Sequence, residues 1–447
     1  MNELQADLSL GAARPAAKIT GISLSGRKAR AATPDYLLAA VLVSVSACAF
    51  LYGDANARFI ALIISLAAGL YRPPLLIFSL SLATSLDIVS GHVFTPMRVA
   101  LIFAAIALLA RYKRVSGRIE TEHLIALMYL WAFGMWCLLC IYVRAELGGL
   151  EEVIMMLAYA AVCLFLLAIV EEECSVSNLV WLGLFPTVIS TISASFHLRP
   201  VHWHDYLVTG EGLRYRGILN DPNYLSSILV VGFAICLASA GAQKGVLKKA
   251  IYLGLSAAFF LALWAPQSRG GLYTASLCLA LFVLWQAGLA LRSGQWGNLL
   301  LVALIGAMVA LFIATHTHTR AFSVVRERGF TLVRTINKLA VEPILRHPLF
   351  GPGEAKFVNR YCAPHDTLLS IGLEYGIPGM FLMLVGVFYC SYNLWKRRGG
   401  GSMVVFLPFM AINVILFSFS APGHKLLWFY LVAGMVFRQT AQTMGDN

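Results

Sequence analysis

Charged residues are scarce in this sequence, and several motifs of soluble enzymes are missing from it. Of the 447 residues, 13% are charged and 59% are hydrophobic, whereas soluble proteins carry about 25% charged residues. The sequence contains no Asp-x-Asp pair, no Walker loop and no Gly-rich dinucleotide fingerprint. These absences argue against an enzyme that uses a metal-bound nucleotide sugar and against a pump driven by ATP.

A disulfide framework is also missing, although the chain has nine cysteines. Most of them fall inside apolar runs, where cysteine behaves as a small hydrophobic residue. Cys362 is the one cysteine in a long loop, and it has no evident partner. Two His-x-His pairs, at 202–204 and 316–318, lack the further ligands of a metal site. We therefore expect no disulfides, no bound metal and no cofactor.

Long apolar runs dominate the chain, and about 20 residues of α-helix cross a bilayer. Fourteen runs are bounded by charges or turn residues, and two of them are short. They lie at 36–53, 58–71, 73–90, 96–111, 123–143, 151–170, 177–195, 221–240, 249–266, 271–291, 298–314, 366–395, 402–420 and 425–438. The sequence therefore predicts an all-α polytopic membrane protein with 12–14 transmembrane helices.

The N-terminal segment differs in composition from the rest. Residues 1–34 contain five basic residues and no apolar core. Their Ala, Ser, Gly and Pro content is typical of disorder. We expect a disordered basic cytoplasmic tail and not a cleaved leader, followed by a single transmembrane helical domain at 35–447.

Basic residues in short loops predict the orientation, because they favour the cytoplasmic side. With fourteen spans, the tail and the loops 111–118, 241–249 and 396–398, each with at least three Lys or Arg, all fall on one side. We therefore expect both termini in the cytoplasm and a multi-pass protein of the bacterial inner membrane. On the opposite, periplasmic side, the short loops 54–57 and 144–150 are poor in Lys and Arg.

Three periplasmic segments break this rule. Loop 196–220 and the turn 266–270 carry arginines, and loop 315–365 carries eight basic and three acidic residues, a net charge of +5. An anionic ligand explains this excess, because the planar guanidinium group matches phosphate oxygens. A general attraction of basic loops to lipid phosphates is the alternative.

The first two segments contain short motifs. In the first, Arg214 and Arg216 precede Asp221-Pro222-Asn223, and an acidic residue followed by proline is typical of a helix start. Taken alone, that motif indicates a helix start with an interfacial arginine. In the second, Ser268-Arg269-Gly270-Gly271 follows Pro266, and the glycines allow a tight turn into the next span. Arg269 is then either a ligand-binding cation or an arginine that snorkels to the interface.

The third motif is the long loop, 315–365, which we predict to be the periplasmic catalytic loop and to contain short helices. It holds Arg326, Arg328 and Arg334, and a helical pattern follows around 331–345. The loop breaks at His347-Pro348-Leu349-Phe350-Gly351-Pro352-Gly353. A loop of this length on a membrane protein is usually functional.

The loop closes at His365-Asp366, where the next span begins. The positive end of a helix dipole favours the neutral, basic form of His365, which suits a general base. A capping or interfacial histidine is the alternative. Glu374 lies nine residues further on, and an acid at membrane depth is usually paired or functional, unless the span begins only at Gly376.

These motifs, in this order, resemble the O-antigen ligase and O-antigen or exopolysaccharide polymerase family of membrane glycosyltransferases. The resemblance covers about residues 205–390. Asp366 stands where the family more often has Asn, which keeps a helix cap but adds a negative charge beside the proposed base. The matching residues are Arg216 with Asp221-Pro222-Asn223, Ser268-Arg269-Gly270-Gly271, His347-Pro348-x-x-Gly351-x-Gly353, and His365-Asp366 with Glu374-x-Gly376-x-x-Gly379.

The resemblance implies metal-independent, inverting transfer of a glycan from an undecaprenyl-diphosphate-linked donor at the periplasmic face. His365 would be the catalytic base. The acceptor would be a sugar of the lipid A core, for a ligase of lipopolysaccharide biosynthesis, or a second lipid-linked glycan, for a polymerase. The residues do not separate the two, although Asp221-Pro222-Asn223 looks nearer the ligase branch. The diphosphate would bind Arg216, Arg269, Arg326, Arg328 and Arg334, supported by Arg214, Asn223, Ser268, Gly353, Asp366 and Glu374.

Two other classes of function stay open. A transporter or flippase of an anionic lipid-linked substrate would show an internal repeat or paired broken spans, and neither is evident in the sequence. A non-catalytic protein that anchors other polysaccharide enzymes would not depend on His365. In each case membrane lipids are partners, and we expect no nucleic acid partner.

The predicted topology puts Cys362 on the periplasmic side, where an impermeant maleimide can reach it. In cells with a permeabilised outer membrane and an intact inner membrane, we expect a mass shift on a gel that Cys362→Ser abolishes. Labelling that requires rupture of the inner membrane, in a protein whose Cys362 reacts readily once that membrane is open, would show the topology to be wrong.

Overall fold

The structure is a computed structural model of the whole chain. It describes residues 33–86, 95–111, 121–145, 173–196, 206–209, 212–217, 221–243, 245–293, 329–361 and 366–396, together with 113, 150, 153–154, 157–158, 161–162, 198, 219, 364, 408 and 410–411. The described part of the protein is mostly helical, with 85% of those residues in helices.

Helices and one small hairpin make up the described elements. The hairpin, β1 Tyr206–Thr209 and β2 Gly212–Tyr215, lies between the sixth and seventh helices. The helices are α1 Thr33–Tyr52, α2 Ala55–Tyr71, α3 Leu75–Thr84, α4 Pro96–Ala110, α5 Thr121–Arg144, α6 Glu173–Ser195, α7 Pro222–Ala242, α8 Val246–Ala262, α9 Arg269–Ser293, α10 Gly329–Arg346, α11 Glu354–Arg360 and α12 Thr367–Lys396.

Ten of the fourteen predicted spans coincide with helices, namely α1 to α9 and α12. The other four, at 151–170, 298–314, 402–420 and 425–438, lie mostly or wholly outside the described residues. Within the described part, four helices are long and apolar enough to cross a membrane: α6, α7, α9 and α12. The helical membrane class is therefore supported, and the count of 12–14 crossings stays a prediction.

Helix starts follow the capping residues of the sequence. The Asp221 side chain accepts a hydrogen bond from the Asn223 N–H at 2.8 Å, with Pro222 as the first helical residue of α7. Asp366 caps α12 in the same way, accepting from the N–H groups of Leu368 and Leu369. Both caps satisfy backbone donors that a helix leaves open at its first turn. The predictions that helices start at these two positions are confirmed.

The core of the molecule is built around α7. Nearly every residue of this helix is buried, on all of its faces, which is typical of a helix enclosed by other helices. Helices α6, α8 and α9 pack against it. A second, smaller core joins α10, α11 and α12 through Ile336, Ala340, Ile344, Phe357 and Leu373.

The outward faces of several helices are apolar. Met128 and Trp131 on α5, Leu284 on α9 and Phe388 on α12 are each more than 60% exposed, at 71%, 66%, 68% and 68%. Water-soluble monomers rarely expose contiguous apolar patches larger than a few hundred Å². Large apolar side chains on outward faces of several helices are what a lipid environment requires, and they support membrane association.

The hairpin β1–β2 is an element that the sequence analysis did not predict, because it treated 196–220 as a loop. Tyr206 pairs with Tyr215 and Thr209 pairs with Gly212 in an antiparallel register. An isolated two-stranded hairpin is marginally stable in water. This one is held by its packing on the turn that follows α8, where the Tyr215 N–H donates to the Ala265 carbonyl at 3.2 Å.

Close contact between α3 and α6 depends on Gly183. A Cβ atom at this position would overlap the backbone oxygen of Phe78 and lie 2.8 Å from the Ser81 Cβ. We expect Gly183→Ala to lower the free energy of unfolding by about 1–3 kcal/mol, because the two helices must separate. Thermal unfolding of the purified protein in detergent measures this change.

The matched control is Gly254→Ala on α8, where an added Cβ meets nothing within 4 Å. Alanine has the higher helix propensity, so this variant should unfold at or above the wild-type temperature. Equal unfolding temperatures for the two variants would mean that α3 and α6 are not in the contact described.

Candidate functional site

The Arg214 side chain joins two of the sequence motifs. Its Nε donates to the Pro266 carbonyl at 3.0 Å, and one Nη donates to the Asn223 Oδ1 at 2.9 Å. The first motif, on β2 and the start of α7, is thereby fixed to the turn that precedes α9. Charge-assisted hydrogen bonds of this kind contribute about 1.5–3 kcal/mol each. The supporting roles predicted for Arg214 and Asn223 in binding a diphosphate stay predictions.

The second motif forms the start of α9. Arg269 is the first residue of this helix, and its side chain lies outside the described part. The preceding Gln267 has a left-handed backbone with φ 48°, a conformation that is costly for a residue other than glycine and is often found at functional sites. The Ser268 side chain is buried, and its hydroxyl has no hydrogen-bond partner among the described residues.

The glycines of this motif have a different role from the predicted one. We expected Gly270 and Gly271 to form a flexible turn, but both lie in the first turn of α9. A Cβ atom on Gly271 would overlap the side chain of Ser226 on α7. The motif therefore needs glycine because two helices touch there, and the turn itself is made by residues 263–267.

A cavity lies beside Arg216, where the ends of several helices meet the hairpin. It is a small cleft that is partly open to solvent. Arg216 follows β2 directly, so the docking of the hairpin sets its position. Among the described residues, no Asp or Glu lines this cavity; its walls are Phe50, Arg58, Ser85, Thr187, Ser190, Thr191, Tyr215, Arg216, Gly217, Leu219 and Leu225.

Arg58 is a second arginine of this cavity, and the sequence analysis did not consider it. It lies in the first turn of α2 and is 5% exposed. One Nη donates to the Phe50 carbonyl at 3.4 Å, and the guanidinium carbon lies 5.6 Å from the centre of the Phe50 ring. A buried cation is costly unless surrounding groups compensate it, and the carbonyl and the ring of Phe50 supply part of that compensation.

The third motif gathers around a break in α12. Gly376 has φ 71° and ψ −172° inside this helix, a conformation that glycine adopts readily. At the break, the Ile377 N–H donates to the Pro348 carbonyl at 2.7 Å, and the Gly353 N–H donates to the Leu373 carbonyl at 2.9 Å. The loop 347–353 thus supplies acceptors and donors that the broken helix cannot supply to itself.

Glu374 pairs with Arg144 at the end of α5. The ion pair is 2.5 Å long, with side chains 20% and 7% exposed. The other Glu374 carboxylate oxygen accepts from the Glu354 N–H at 2.6 Å, at the start of α11. Arg144 also donates to the backbone carbonyls of Phe350 and Glu374. The sequence predicted that Glu374 is either paired or functional, and the structure shows that it is paired. Its contacts fix α12 to the end of α5 and to the start of α11.

An aromatic contact strengthens the same junction. The Trp136 ring on α5 stacks on the Phe350 ring, with centroids 5.6 Å apart and an interplanar angle of 12°. Its Nε1 donates to the Tyr375 carbonyl at 2.9 Å, a group left open by the break at Gly376. Helix α5 therefore fixes both the loop 347–353 and the first half of α12.

The predicted site residues fall into two groups in the structure, and the others, or their side chains, lie outside the described part. Arg214, Arg216, Asn223 and Ser268 belong with the cavity and the turn before α9. Gly353, Asp366 and Glu374 belong with α11 and α12, and none of these three lines the cavity. His365, Arg326 and Arg328 lie outside the described residues, as do the side chains of Arg269 and Arg334.

His347 and the two overlooked arginines complete this account. His347 is exposed and directly follows α10, with its N–H donating to the Pro343 and Ile344 carbonyls, so it lies where the sequence predicts a break at 347–353. Arg58 and Arg144 lie at the edges of loops 54–57 and 144–150, which we had judged poor in basic residues. Arg144 is already the first residue of loop 144–150, and a count that includes the first helical turn after loop 54–57 would have found Arg58.

The described residues contain no cluster of three or more metal-ligating side chains. Comparison with known proteins assigns no family to the chain: no family model matches it, and no curated protein matches it in sequence. The resemblance drawn from the motifs therefore stays a prediction, and the geometry of the cavity and of the α5–α12 junction is what bears on function.

Proposed function

We propose that the protein is a membrane glycosyltransferase of the O-antigen ligase or polymerase type. It would transfer a glycan from an undecaprenyl-diphosphate-linked donor to an acceptor sugar hydroxyl at the periplasmic face of the inner membrane. The observation that carries the proposal is the docking of the hairpin onto the turn before α9 through Arg214. Through this contact Arg216, which lines a cavity with no carboxylate in its described walls, would lie near the start of α9 at Arg269.

The directions of the helices support the proposed periplasmic location of the cavity. The cavity is lined from the C-terminal ends of α1, α3 and α6 and from the N-terminal ends of α2 and α7. If the predicted spans alternate in direction, all five of these ends lie on the periplasmic side. At the opposite end of α2, Arg111 donates to the carbonyls of Leu70 and Tyr71. This contact joins the end of α2 to the start of loop 111–118, which is predicted to be cytoplasmic.

In the proposed reaction, the acceptor hydroxyl attacks the anomeric carbon of the donor sugar as the bond to the diphosphate oxygen breaks. Arg216 and Arg269 would neutralise the charge that builds on the departing diphosphate. His365 would take the proton of the attacking hydroxyl. The new glycosidic bond would have the inverted configuration, because attack occurs opposite the leaving group.

The junction of α5 and α12 has a positioning role in this scheme. His365 would stand directly before Asp366, which caps α12. The first half of α12 is fixed by Arg144 through Glu374 and by Trp136 through the Tyr375 carbonyl. A base on such an anchored helix start would need little reorganisation before the reaction.

The proposed binding of the diphosphate by Arg216 and Arg269 is tested by Arg216→Ala and Arg269→Ala. Each variant is assayed as purified protein with a lipid-linked donor and an acceptor. We expect transfer to fall by about 100- to 1000-fold, which corresponds to the loss of one donor that stabilises transition-state charge. Lysine should restore little, because it lacks the two-pronged donor geometry. The control is Arg346→Ala, which removes an exposed i,i+4 ion pair with Glu342 and should leave turnover unchanged. If both lysine variants were fully active, the two positions would need only a positive charge and not the two-pronged geometry of arginine.

The proposed base is tested by His365→Ala and His365→Gln. Both should fold and bind donor, yet lose about 100- to 10000-fold in transfer, because neither can accept a proton. Wild-type activity should also decline as the pH falls and the histidine becomes protonated, because only the neutral ring can accept a proton. His347→Ala serves as the control, since His347 is exposed at the end of α10.

Near-wild-type turnover of His365→Gln would remove the histidine from the mechanism. Asp366 and Glu374 would be the nearest carboxylates in sequence, but both already have structural partners. The reaction would then have to proceed through the arginines without a dedicated base.

A further inference from the structure

Helix α10 carries two rows of apolar side chains on different faces. The first row, Ile336, Ala340 and Ile344, is buried in the small core that α10 shares with α11 and α12. The second row, Val341 and Leu345, is exposed, and Leu345 is 64% exposed. A helix that packs only on the rest of its own protein needs one apolar face and keeps polar residues on the other. The second row therefore requires a further apolar partner.

The contacts of α5 show at which level of the molecule α10 lies. Arg144 is the last residue of α5, a predicted span, and its side chain pairs with Glu374 on α12. The break at Gly376 thus lies level with the end of α5, and residues 377–396 continue from it as a helix that is long enough to cross a bilayer. Helix α10 packs on the part of α12 before the break, through Leu373. It therefore lies at the level where these spans leave the membrane.

The exposed row of α10 leads directly to the outward face of α12. The Ile377 N–H donates to the Pro348 carbonyl at 2.7 Å, which brings the neighbouring Leu349 beside the start of the second half of α12. Leu349, Ile377 and Phe381 are all exposed. The outward apolar face of α12 is thereby followed by Leu349 and then, four residues back along the chain, by Leu345 on α10.

Positive charge accompanies this row. The exposed side chains that the structure describes on α10 and α11 include four basic residues and one acidic residue, Glu342, a net charge of +3. The basic residues are Lys338, Arg346, Lys356 and Arg360. Lys338 precedes Val341 by three residues, which places it on the same face of the helix. A second copy of the chain is a poor partner for this surface, because two such surfaces would bring like charges together.

We propose that α10 is an interfacial helix whose exposed row, Val341 and Leu345, enters the bilayer boundary beside α12 together with Leu349. Helices of this kind place their apolar side at the boundary between head groups and acyl chains, and their basic residues meet lipid phosphates. Lys338 and the basic residues of α11 would bind anionic head groups. The partner is thus the lipid surface itself, and the inference goes beyond the proposed glycan transfer and does not depend on it.

The occupant of the exposed row is identified by photo-crosslinking. The amino acid p-benzoylphenylalanine replaces Leu345 in the full-length protein, which is placed in vesicles that contain a radiolabelled phospholipid. The matched control has the same amino acid at Arg346, which is exposed at the same height on α10 but points about 100° away around the helix axis. Arg346 loses only an exposed ion pair with Glu342. We expect several times more lipid adduct from position 345 than from position 346.

Three results would overturn the proposal. They are a crosslinked dimer at position 345 in place of lipid, an adduct at 345 with another segment of the same chain, and equal yields of lipid adduct at the two positions. Val341 is the second position for the probe if the protein substituted at 345 does not reach the wild-type unfolding temperature.

The role of the basic residues is tested in vesicles that mix a zwitterionic lipid with labelled phosphatidylglycerol. Position 345 should capture the anionic lipid about two- to fivefold above its share of the bilayer, because each basic residue near the surface attracts anionic lipid. Lys338→Gln should reduce this excess, and high salt should remove most of it. The control is Lys248→Gln, an exposed lysine at the start of α8, which should leave the excess unchanged. Capture in proportion to the bulk composition would overturn the binding of anionic head groups.

Discussion

The hydrogen bonds of Arg214 are the contact on which the candidate site depends. This side chain links β2 to Asn223 on α7, nine residues further along the chain, and to the Pro266 carbonyl, 52 residues further along. A guanidinium group between helix ends must find acceptors, because unbonded donors are costly away from water. The hairpin satisfies that requirement only when it lies on the turn before α9. The position of Arg216 beside the cavity follows from this docking.

A related constraint governs the broken helix α12. Non-helical backbone at membrane depth is tolerated only where the protein satisfies its open groups. The break at Gly376 leaves such groups, and Arg144, Trp136 and the loop 347–353 bond to them. The glycines of this loop are therefore needed for folding, whatever part the loop has in catalysis. Loss of Arg144 would remove the cation paired with the Glu374 carboxylate, to which the Glu354 N–H would still donate.

The cavity and the junction divide the proposed chemistry between them. In the proposed reaction, Arg216 at the cavity would stabilise the anionic leaving group. The junction holds the start of α12, which the proposed base His365 directly precedes in the sequence. Transfer to a hydroxyl would then combine charge stabilisation by arginine with a base on a rigid support.

Local patterns determined much of this protein. Apolar runs predicted ten of the helices, and Asp221 and Asp366 predicted two helix starts, because caps and apolar length act within a few residues of the chain. Sequence alone also identified Glu374 as an acid in need of a partner. The hairpin, the contact that requires Gly271, and the roles of Arg58 and Arg144 were decided by tertiary structure. Arg144 meets Glu374 across 230 residues, and no local pattern encodes which buried charge will lie opposite which.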